Sequence, residues 1–459
     1  VKAAEGNLRR PALLAVLCAA QFAVMVDVVV VNVALPSIQG ELGVPQGTLQ
    51  LTAVSYTVVF GSLLIVAGRA GDRFGRRGLL LCGLLVFTVA SGLCGLVDEA
   101  WQLFAARAGQ GIGAAMVSPN AMALLTSSSR EGEQRDRALG FWIAASAGGA
   151  IAGQLLGGVL TELAGWRAIF LLHVPLGVLV FVVALRFLPS GTMNRSSTLD
   201  LRGAMLLTVS LAALSLLLAG VTKDSTIATV MGIVVLLVLA SVLLVVERRH
   251  PAPVLPGGLI RRRPVLVANI VQGLTAGATT AAIYFTTLTM QGAMGYGPLQ
   301  TGLGFAPVTA IVLLVSPRAG ALVSRLGARN MLVLGTGIAA VGMGLLGSTA
   351  TAFGNYWAGI LPGLALVAAG NGLSYTPAYS VATAVPEGDQ GASAGLISTT
   401  QELGAALGLA SVAPVVAFIV GSEMSDFSMG YLISALMVIV AGLLALVIPA
   451  KSKPLVRAG

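Results

Sequence analysis

Asp27, Arg107 and Glu402 are ionisable side chains set inside long apolar runs: Asp27 in VMVDVVVVNV, Arg107 in LFAARAGQGIG and Glu402 in STTQELGAALGLA. A charge near the centre of a bilayer costs at least about 2.5–3.5 kcal/mol, so such residues mark proton relays, ion paths or ligand counter-charges. The chemistry open to an aspartate, an arginine and a glutamate here is ion pairing and reversible proton uptake. Burial raises an aspartate's pKa and a nearby arginine lowers it, so a carboxylate whose neighbours move can take and release a proton. Asp27 lies about seven residues before the end of its run and Arg107 about six after the start of its own. At ~1.5 Å per residue both sit about 9–10 Å below the same surface, and opposite signs at matched depth allow a pair. That pair is either a proton carrier tuned by its arginine or a static clamp between two helices. Glu402, about nine residues into its run, is a second proton or cation site or a glutamate wetted by a cavity. Gln110 follows Arg107 by one helical turn and shares its face. Asn32, Tyr56, Gln154 and Gln272 are further polar residues inside apolar runs, either bonds between helices or contacts to a ligand in a cavity.

Other chemistry finds no support. The three cysteines (Cys18, Cys82, Cys94) lie in apolar runs without a histidine partner, and His173 and His250 are far apart, so neither a disulfide framework nor a metal site is expected. No nucleophile–base–acid set is visible, and an enzyme is not expected. The four lysines are at positions 2, 223, 451 and 453, outside any phosphate-cradling glycine loop, so an energised cycle draws on an ion gradient and needs no cofactor.

The elements that position these residues are membrane spans. The chain is 56% hydrophobic and 10% charged over 459 residues, with 58 glycines and a mean hydropathy of +0.92. An ordinary soluble domain has about 25% charged residues, so the lipid bilayer is the expected solvent. Fourteen apolar runs are long enough to span: 12–34, 49–67, 79–97, 101–125, 138–161, 168–188, 201–221, 227–246, 264–290, 300–317, 331–350, 356–380, 393–420 and 428–449. The first, after Arg9 and Arg10, continues to Leu35 without a cleavage pattern and reads as a retained span. Pro36, Pro189 and Pro298 fall in or beside the expected connections. With the N-terminus inside, 24 of the 27 basic residues fall in inner segments. Both termini are then cytoplasmic, and the basic character is topological, with no nucleic-acid partner implied.

GRAGDRFGRRG (68–78) puts four arginines and Asp72 between two spans, and GALVSRLGARN (320–330) echoes it at an offset of 252 residues through Gly68/Gly320, Arg73/Arg325, Gly75/Gly327 and Arg77/Arg329. The first copy follows the second span and the other the tenth. The expected architecture is all-α, with a six-helix bundle over 1–190, two additional helices over 191–250 and a second six-helix bundle over 251–459. Residues 68–78 read as a tight cytoplasmic turn whose glycines permit close approach. Asp72 is expected to partner an inner arginine or a helix N-terminus.

These motifs, in this order, resemble the major facilitator superfamily and its fourteen-spanner drug:proton antiporter branch. GRAGDRFGRRG is similar to the family's loop signature, with Gly68, Asp72, Arg73, Gly75, Arg76 and Arg77 as a cytoplasmic gate. MVDVVVVNVALP (25–36) resembles the branch's first-span signature and LFAARAGQGIGAA (103–115) the fourth-span arginine motif. Gly140, Gly149, Gly153, Gly157 and Gly158 match the fifth-span antiporter motif, and WRAIFLLHVPLG (166–177) resembles its sequel. Gln154 stands where proline is usual, His173 for asparagine, Ser324 for the aspartate of the second loop copy and Glu402 for glutamine. The Ser324 departure makes any latch asymmetric, with its acidic half only in the first bundle. The resemblance implies a proton-coupled exporter of amphipathic drugs or antibiotics in the cell membrane, working by alternating access as a monomer, with Asp27, Arg107 and Glu402 coupling protons. Export of an endogenous metabolite and a non-transporting membrane sensor are the alternatives, the second opposed by the lack of a soluble signalling domain.

Overall fold

The computed structural model describes residues 2–43, 51–130, 132–189, 201–218, 226–249, 257–350, 355–420 and 427–449. A few side chains inside these ranges, that of Asn32 among them, lie outside the described residues. The described residues hold helices and no strand. The long helices are α1 (Lys2–Leu42), α2 (Leu51–Phe74), α3 (Arg76–Cys94), α4 (Ala100–Ser128), α5 (Glu133–Ala164), α6 (Arg167–Phe187), α7 (Leu201–Leu218), α8 (Thr226–Arg249), α9 (Arg263–Leu288), α10 (Ala306–Leu326), α11 (Ala328–Thr349), α12 (Leu361–Ala382), α13 (Gln390–Val420) and α14 (Ser428–Ala445). Ten helical segments among the described residues are long and apolar enough to cross a membrane, one in each of these helices except α4, α7, α8 and α13. The apolar stretches of α7 and α8 are shorter, while α4 carries Arg107, Gln110 and Asn120, and α13 carries Gln401 and Glu402. Leu85, Val89 and Leu93 form an exposed apolar row on α3, a surface suited to lipid tails.

Two expectations about connections are corrected. Pro36 does not end the first helix, since α1 runs through it to Leu42. Nor is 68–78 a loop: Gly68, Asp72 and Arg73 belong to the last turns of α2, and Arg76 and Arg77 open α3. Gly75 alone makes the turn, with φ 100°, a value that a side chain rarely tolerates. Gly327, its counterpart in the second copy, has φ 81° between α10 and α11. The repeat therefore encodes a one-residue helix–turn–helix twice.

The described chain forms two compact units. One comprises Val1–Ser128, Ala145–Leu259 and Val385–Ala406; the other comprises Ser129–Ala144, Ile260–Ala384 and Leu407–Gly459. The first halves of α5 and α13 thus belong to different units from their second halves. In the first unit a core of Val30, Val31, Ile38, Cys94, Leu103, Trp166, Ile169 and Phe170 closes the end away from Gly75. Above it Glu41 accepts hydrogen bonds from Arg167 and, at 2.7 Å, from the Trp166 indole. In the second unit Val271, Leu332, Ala378, Ala441 and Ala445 form a core, and Asn371 and Thr279 share hydrogen bonds of 3.1–3.3 Å.

The α5 glycines divide between the units. A Cβ on Gly149, Gly153 or Gly157 would come 2.6, 2.6 and 2.9 Å from the carbonyl oxygens of Phe22, Val26 and Val30. The four-residue spacing on α5 is therefore matched by a four-residue spacing on α1, and the backbones touch where side chains are missing. Gly140 instead meets Ser316 and Pro317 of α10, within the second unit. Gly158 is half-buried.

Gly153→Val forces α1 and α5 apart, because the obstacle is a backbone carbonyl. The expected cost is about 1–3 kcal/mol, read as a lower thermal unfolding midpoint in detergent, while Gly337→Ala, at an exposed α11 position where a Cβ meets nothing within 4 Å, leaves it nearly unchanged. The Glu41 clasp makes a pH-dependent contribution. Hydrogen bonds from Arg167 and then Trp166 hold the Glu41 carboxyl below its ordinary value. A depressed carboxylate stabilises the fold above the unfolded pKa, about 4.3, and loses that contribution as pH falls through the lowered value. Thermal melts between about pH 5 and 3 should therefore show a small extra decline in the native chain that Glu41→Gln lacks.

Candidate functional site: a buried ion pair and a helix-capping aspartate

Asp27 of α1 and Arg107 of α4 meet inside the first unit, both with no exposed surface. Arg107 Nη1 donates to Asp27 Oδ2 at 2.7 Å and to Gln110 Oε1 at 2.8 Å. Gln110 Nε2 donates to Asp27 Oδ1 at 2.9 Å and to Ser91 Oγ at 2.7 Å. The Cys94 thiol donates to Gln110 Oε1 at 3.2 Å, and Arg107 Nε donates to the Thr52 carbonyl at 3.2 Å. The guanidinium carbon lies 4.4 Å from the Tyr56 ring centroid and 5.7 Å from that of Phe170. Both aspartate oxygens are satisfied, and the arginine is held between a carboxylate, a carbonyl and two aromatic rings. A buried charge pair withstands its desolvation only with such geometry and extra hydrogen bonds.

Helix spacing delivers this cluster. Arg107 and Gln110 stand one turn apart on α4, and Ser91 and Cys94 repeat the same three-residue step on α3. Thus each helix presents a pair of polar groups at one level. The sequence reading named Asp27, Arg107, Gln110 and Tyr56, which the fold brings together. It missed Ser91, Cys94, Phe170 and the Thr52 carbonyl. The three-residue echo between α3 and α4 was the available signal, but a serine and a cysteine in an apolar run look like packing.

Other named residues lie elsewhere. Gln272 is buried on α9 in the second unit. Gln154 is half-buried on α5 in the first unit, its Oε1 buried without a hydrogen-bond partner among the described residues. Glu402 is half-buried on α13, in the part belonging to the first unit. The side chain of Asn32 lies outside the described residues.

A second polar site lies at the Gly75 end of the same unit. Asp72 Oδ1 accepts from Arg76 Nε at 3.1 Å, from Arg76 Nη2 at 2.9 Å and from the Gly391 N–H at 2.9 Å. Its Oδ2 accepts from the Ala392 N–H at 3.0 Å. Asp72 therefore caps the N-terminus of α13, where unpaired N–H groups favour negative charge. Arg76 Nη1 also donates to the Gln390 side chain at 3.1 Å and to the Ala123 carbonyl at 3.2 Å. Arg69 pairs with Asp389 at 3.1 Å, and Arg77 donates to the Leu185 carbonyl near the end of α6 at 2.8 Å. Arg73 lies over the Phe74 ring, 5.0 Å from its centroid. Any Cβ on Gly68 would collide with the Gly391 backbone, which is why α13 approaches closely enough to be capped.

The second unit has a related arrangement with different chemistry. Gly320 abuts the Asp136 backbone at the start of α5, as Gly68 abuts Gly391 at the start of α13. Ser324, in the place of Asp72, donates to its own helix at 2.8 Å. The acid is instead Asp136 of α5, which accepts from Ser380, while Arg135 donates to the Thr383 carbonyl and hydroxyl. The expectation of an acidic half in the first bundle alone is corrected: Ser324 leaves α10 without an acid at this place, but Asp136 of α5 supplies one to the second site.

An all-helical chain with many membrane-crossing segments and charges buried and paired inside a span bundle is built as a polytopic membrane transporter. The chain belongs to the Major Facilitator Superfamily, whose family model matches residues 17–409. Among curated relatives, it is 39% identical to the cephamycin export protein CmcT of Amycolatopsis lactamdurans over 86% of this chain and 82% of that one. It is 36% identical to the puromycin resistance protein pur8 of Streptomyces alboniger over 86% and 80% of the two chains. Of the solved structures, the human organic anion transporter MFSD10 superposes with a TM-score of 0.67 at 15% identity, covering 95% of this chain and 99% of that one, a likeness of fold alone.

Removing one partner leaves the other charge buried. Arg107→Met is expected to destabilise the protein by about 3–5 kcal/mol, read by thermal unfolding in detergent. Asp27→Asn combined with Arg107→Met should recover part of the loss, because no uncompensated charge remains.

Proposed function

We propose that the protein is a proton-coupled exporter of amphipathic small molecules, drugs or antibiotics, working by alternating access in the cell membrane. All fourteen long helices cross the bilayer in this reading, both termini are cytoplasmic, and two six-helix bundles (1–190 and 251–459) carry the cycle with 191–250 as an added pair. No cofactor is required, since the proton gradient supplies the energy, and one chain suffices. The observation that carries the reading is the fully buried Asp27–Arg107–Gln110 cluster, with the pair closed at 2.7 Å. A proton on Asp27 removes half of the ion pair, so Arg107 must find another partner or be left uncompensated in a low-dielectric site. Proton uptake thereby biases the packing of α1 against α4. The α1–α5 seam, where glycines let two backbones touch, is a surface along which such a change can be accommodated. Asp72 on the α13 N-terminus serves as the cytoplasmic latch. The relatives' names, an export protein and a resistance protein, support outward transport. The first of these names also favours a second reading, in which the cargo is a metabolite made by the same cell.

Asp27→Asn tests the coupling. In proteoliposomes with an imposed pH gradient, the variant, although less stable, should still bind an uncharged amphipathic substrate yet lose its gradient-driven efflux. Full retention of efflux would remove Asp27 from the mechanism.

A further inference from the structure

Glu402 lacks what the other membrane-embedded acid has. Among the described residues no hydrogen bond or ion pair reaches it, whereas Asp27 has an arginine and a glutamine. An unpaired carboxylate within a span bundle calls for a cation.

The packing of α2 against α13 shows what stands beside Glu402. The two helices run antiparallel in a regular register. Gly68 abuts Gly391, Gly395 abuts Leu64 and Ile65, and Thr399 donates to the Gly61 carbonyl at 3.5 Å. One turn further on, Glu402 comes level with Thr57 and Val58, next to Tyr56. The Tyr56 phenol lies within electrostatic reach of Asp27, Arg107 and Glu402 together. Tyr56 has no exposed surface, and its hydroxyl is buried without a hydrogen-bond partner among the described residues, which is costly unless something completes it. Its ring is already used, since Arg107 sits over it at 4.4 Å.

We propose that Glu402 and the Tyr56 hydroxyl form a binding site for a protonated amine of the transported molecule. This deepens the export reading and rests on it. An ammonium group has several N–H donors, and here it finds a carboxylate to neutralise its charge and a phenol oxygen to accept a second hydrogen bond. A proton on Glu402 would cancel the charge, but the acid's single O–H serves the phenol only at direct hydrogen-bond range, and among the described residues the Tyr56 hydroxyl has no such partner. A hard metal ion needs six or more oxygens, and the described residues hold no cluster of three ligating side chains. The site is linked to the ion pair through the Tyr56 ring. While Asp27 is ionised, Arg107 is neutralised and does not repel a cation at Glu402. Protonation of Asp27 uncovers the Arg107 charge on the other side of the ring and weakens the hold on the amine. Proton and amine thus compete without sharing an atom.

The test uses two probes with one fluorophore: monodansylcadaverine, which carries an ammonium group, and its N-acetyl derivative, which does not. Binding to the whole chain in lipid nanodiscs is followed by dansyl fluorescence. The native protein should prefer the amine by about tenfold or more, as a charge-assisted contact predicts. Glu402→Gln should erase that preference while leaving the neutral probe's affinity in place, which also reports that the variant is folded. Tyr56→Phe keeps the ring for Arg107 and should lower the amine's affinity several-fold, again sparing the neutral probe. Asp27→Asn should weaken the amine alone. An unchanged preference in Glu402→Gln, or no preference in the native protein, overturns the site. If Asp27→Asn shifts both probes equally or neither, the link to the ion pair is overturned. The proteoliposome result on Asp27 is separate, so loss of the export reading and loss of the amine site are distinguishable.

Discussion

The bilayer supplies no water to pay for a buried charge, so every ionised group within the span bundle must be answered by protein. The Asp27–Arg107 contact is where that demand is met most completely. Meeting it involves five helices: α1 brings the aspartate, α4 the arginine and glutamine, α3 the serine and thiol, α2 a carbonyl and the Tyr56 ring, and α6 the Phe170 ring. Each group is short of a partner in an isolated helix and complete only in the packed unit. The cluster therefore ties α1, α2, α3, α4 and α6 together, and a change in the charge of one oxygen is felt by all of them. This makes it a natural place for a proton to act.

The same accounting explains the other end of the unit. The first N–H groups of α13 have no partner in their own helix, and Asp72 accepts from two of them while Arg76 offsets its charge. Capping at such range needs the backbones close together, and Gly68 against Gly391 provides that. In the second unit Gly320 permits the same approach at the start of α5, yet the acid sits on α5 as Asp136, with Ser380 as its donor. The two arrangements share geometry because the helix–glycine–helix repeat is shared, and they differ in charge because Ser324 cannot reach across. Glu402, on the part of α13 that belongs to the first unit, is an acid that no cation pairs with among the described residues.

Much of this was legible in the linear order of residues. Apolar run length located the helices, and the matched depths of Asp27 and Arg107 anticipated their meeting. The regular glycine spacing anticipated a close helix seam. Residues with no signature of their own were harder to see: Ser91 and Cys94 become polar partners only because α3 lies against α4, and the Thr52 carbonyl bonds because of where α2 passes. The turn at 68–78 was misread as a loop, since a glycine- and arginine-rich stretch looks irregular, whereas only Gly75 breaks the helix.

What the sequence determined by itself is local or additive: which segments are helical and apolar, where charge is concentrated, and that a turn with positive φ recurs after 252 residues. These follow from hydropathy and from glycine's freedom, which act within a few residues. Tertiary structure alone decided the assignments between distant segments. It placed Asp72 on the α13 N-terminus, separated Gly140 from Gly149, Gly153 and Gly157, grouped the first halves of α5 and α13 with the units they belong to, and buried the Tyr56 hydroxyl without a partner among the described residues. The reason is that a hydrogen bond or a backbone contact depends on distance in space, and helix packing brings together positions more than 300 residues apart that no local pattern connects.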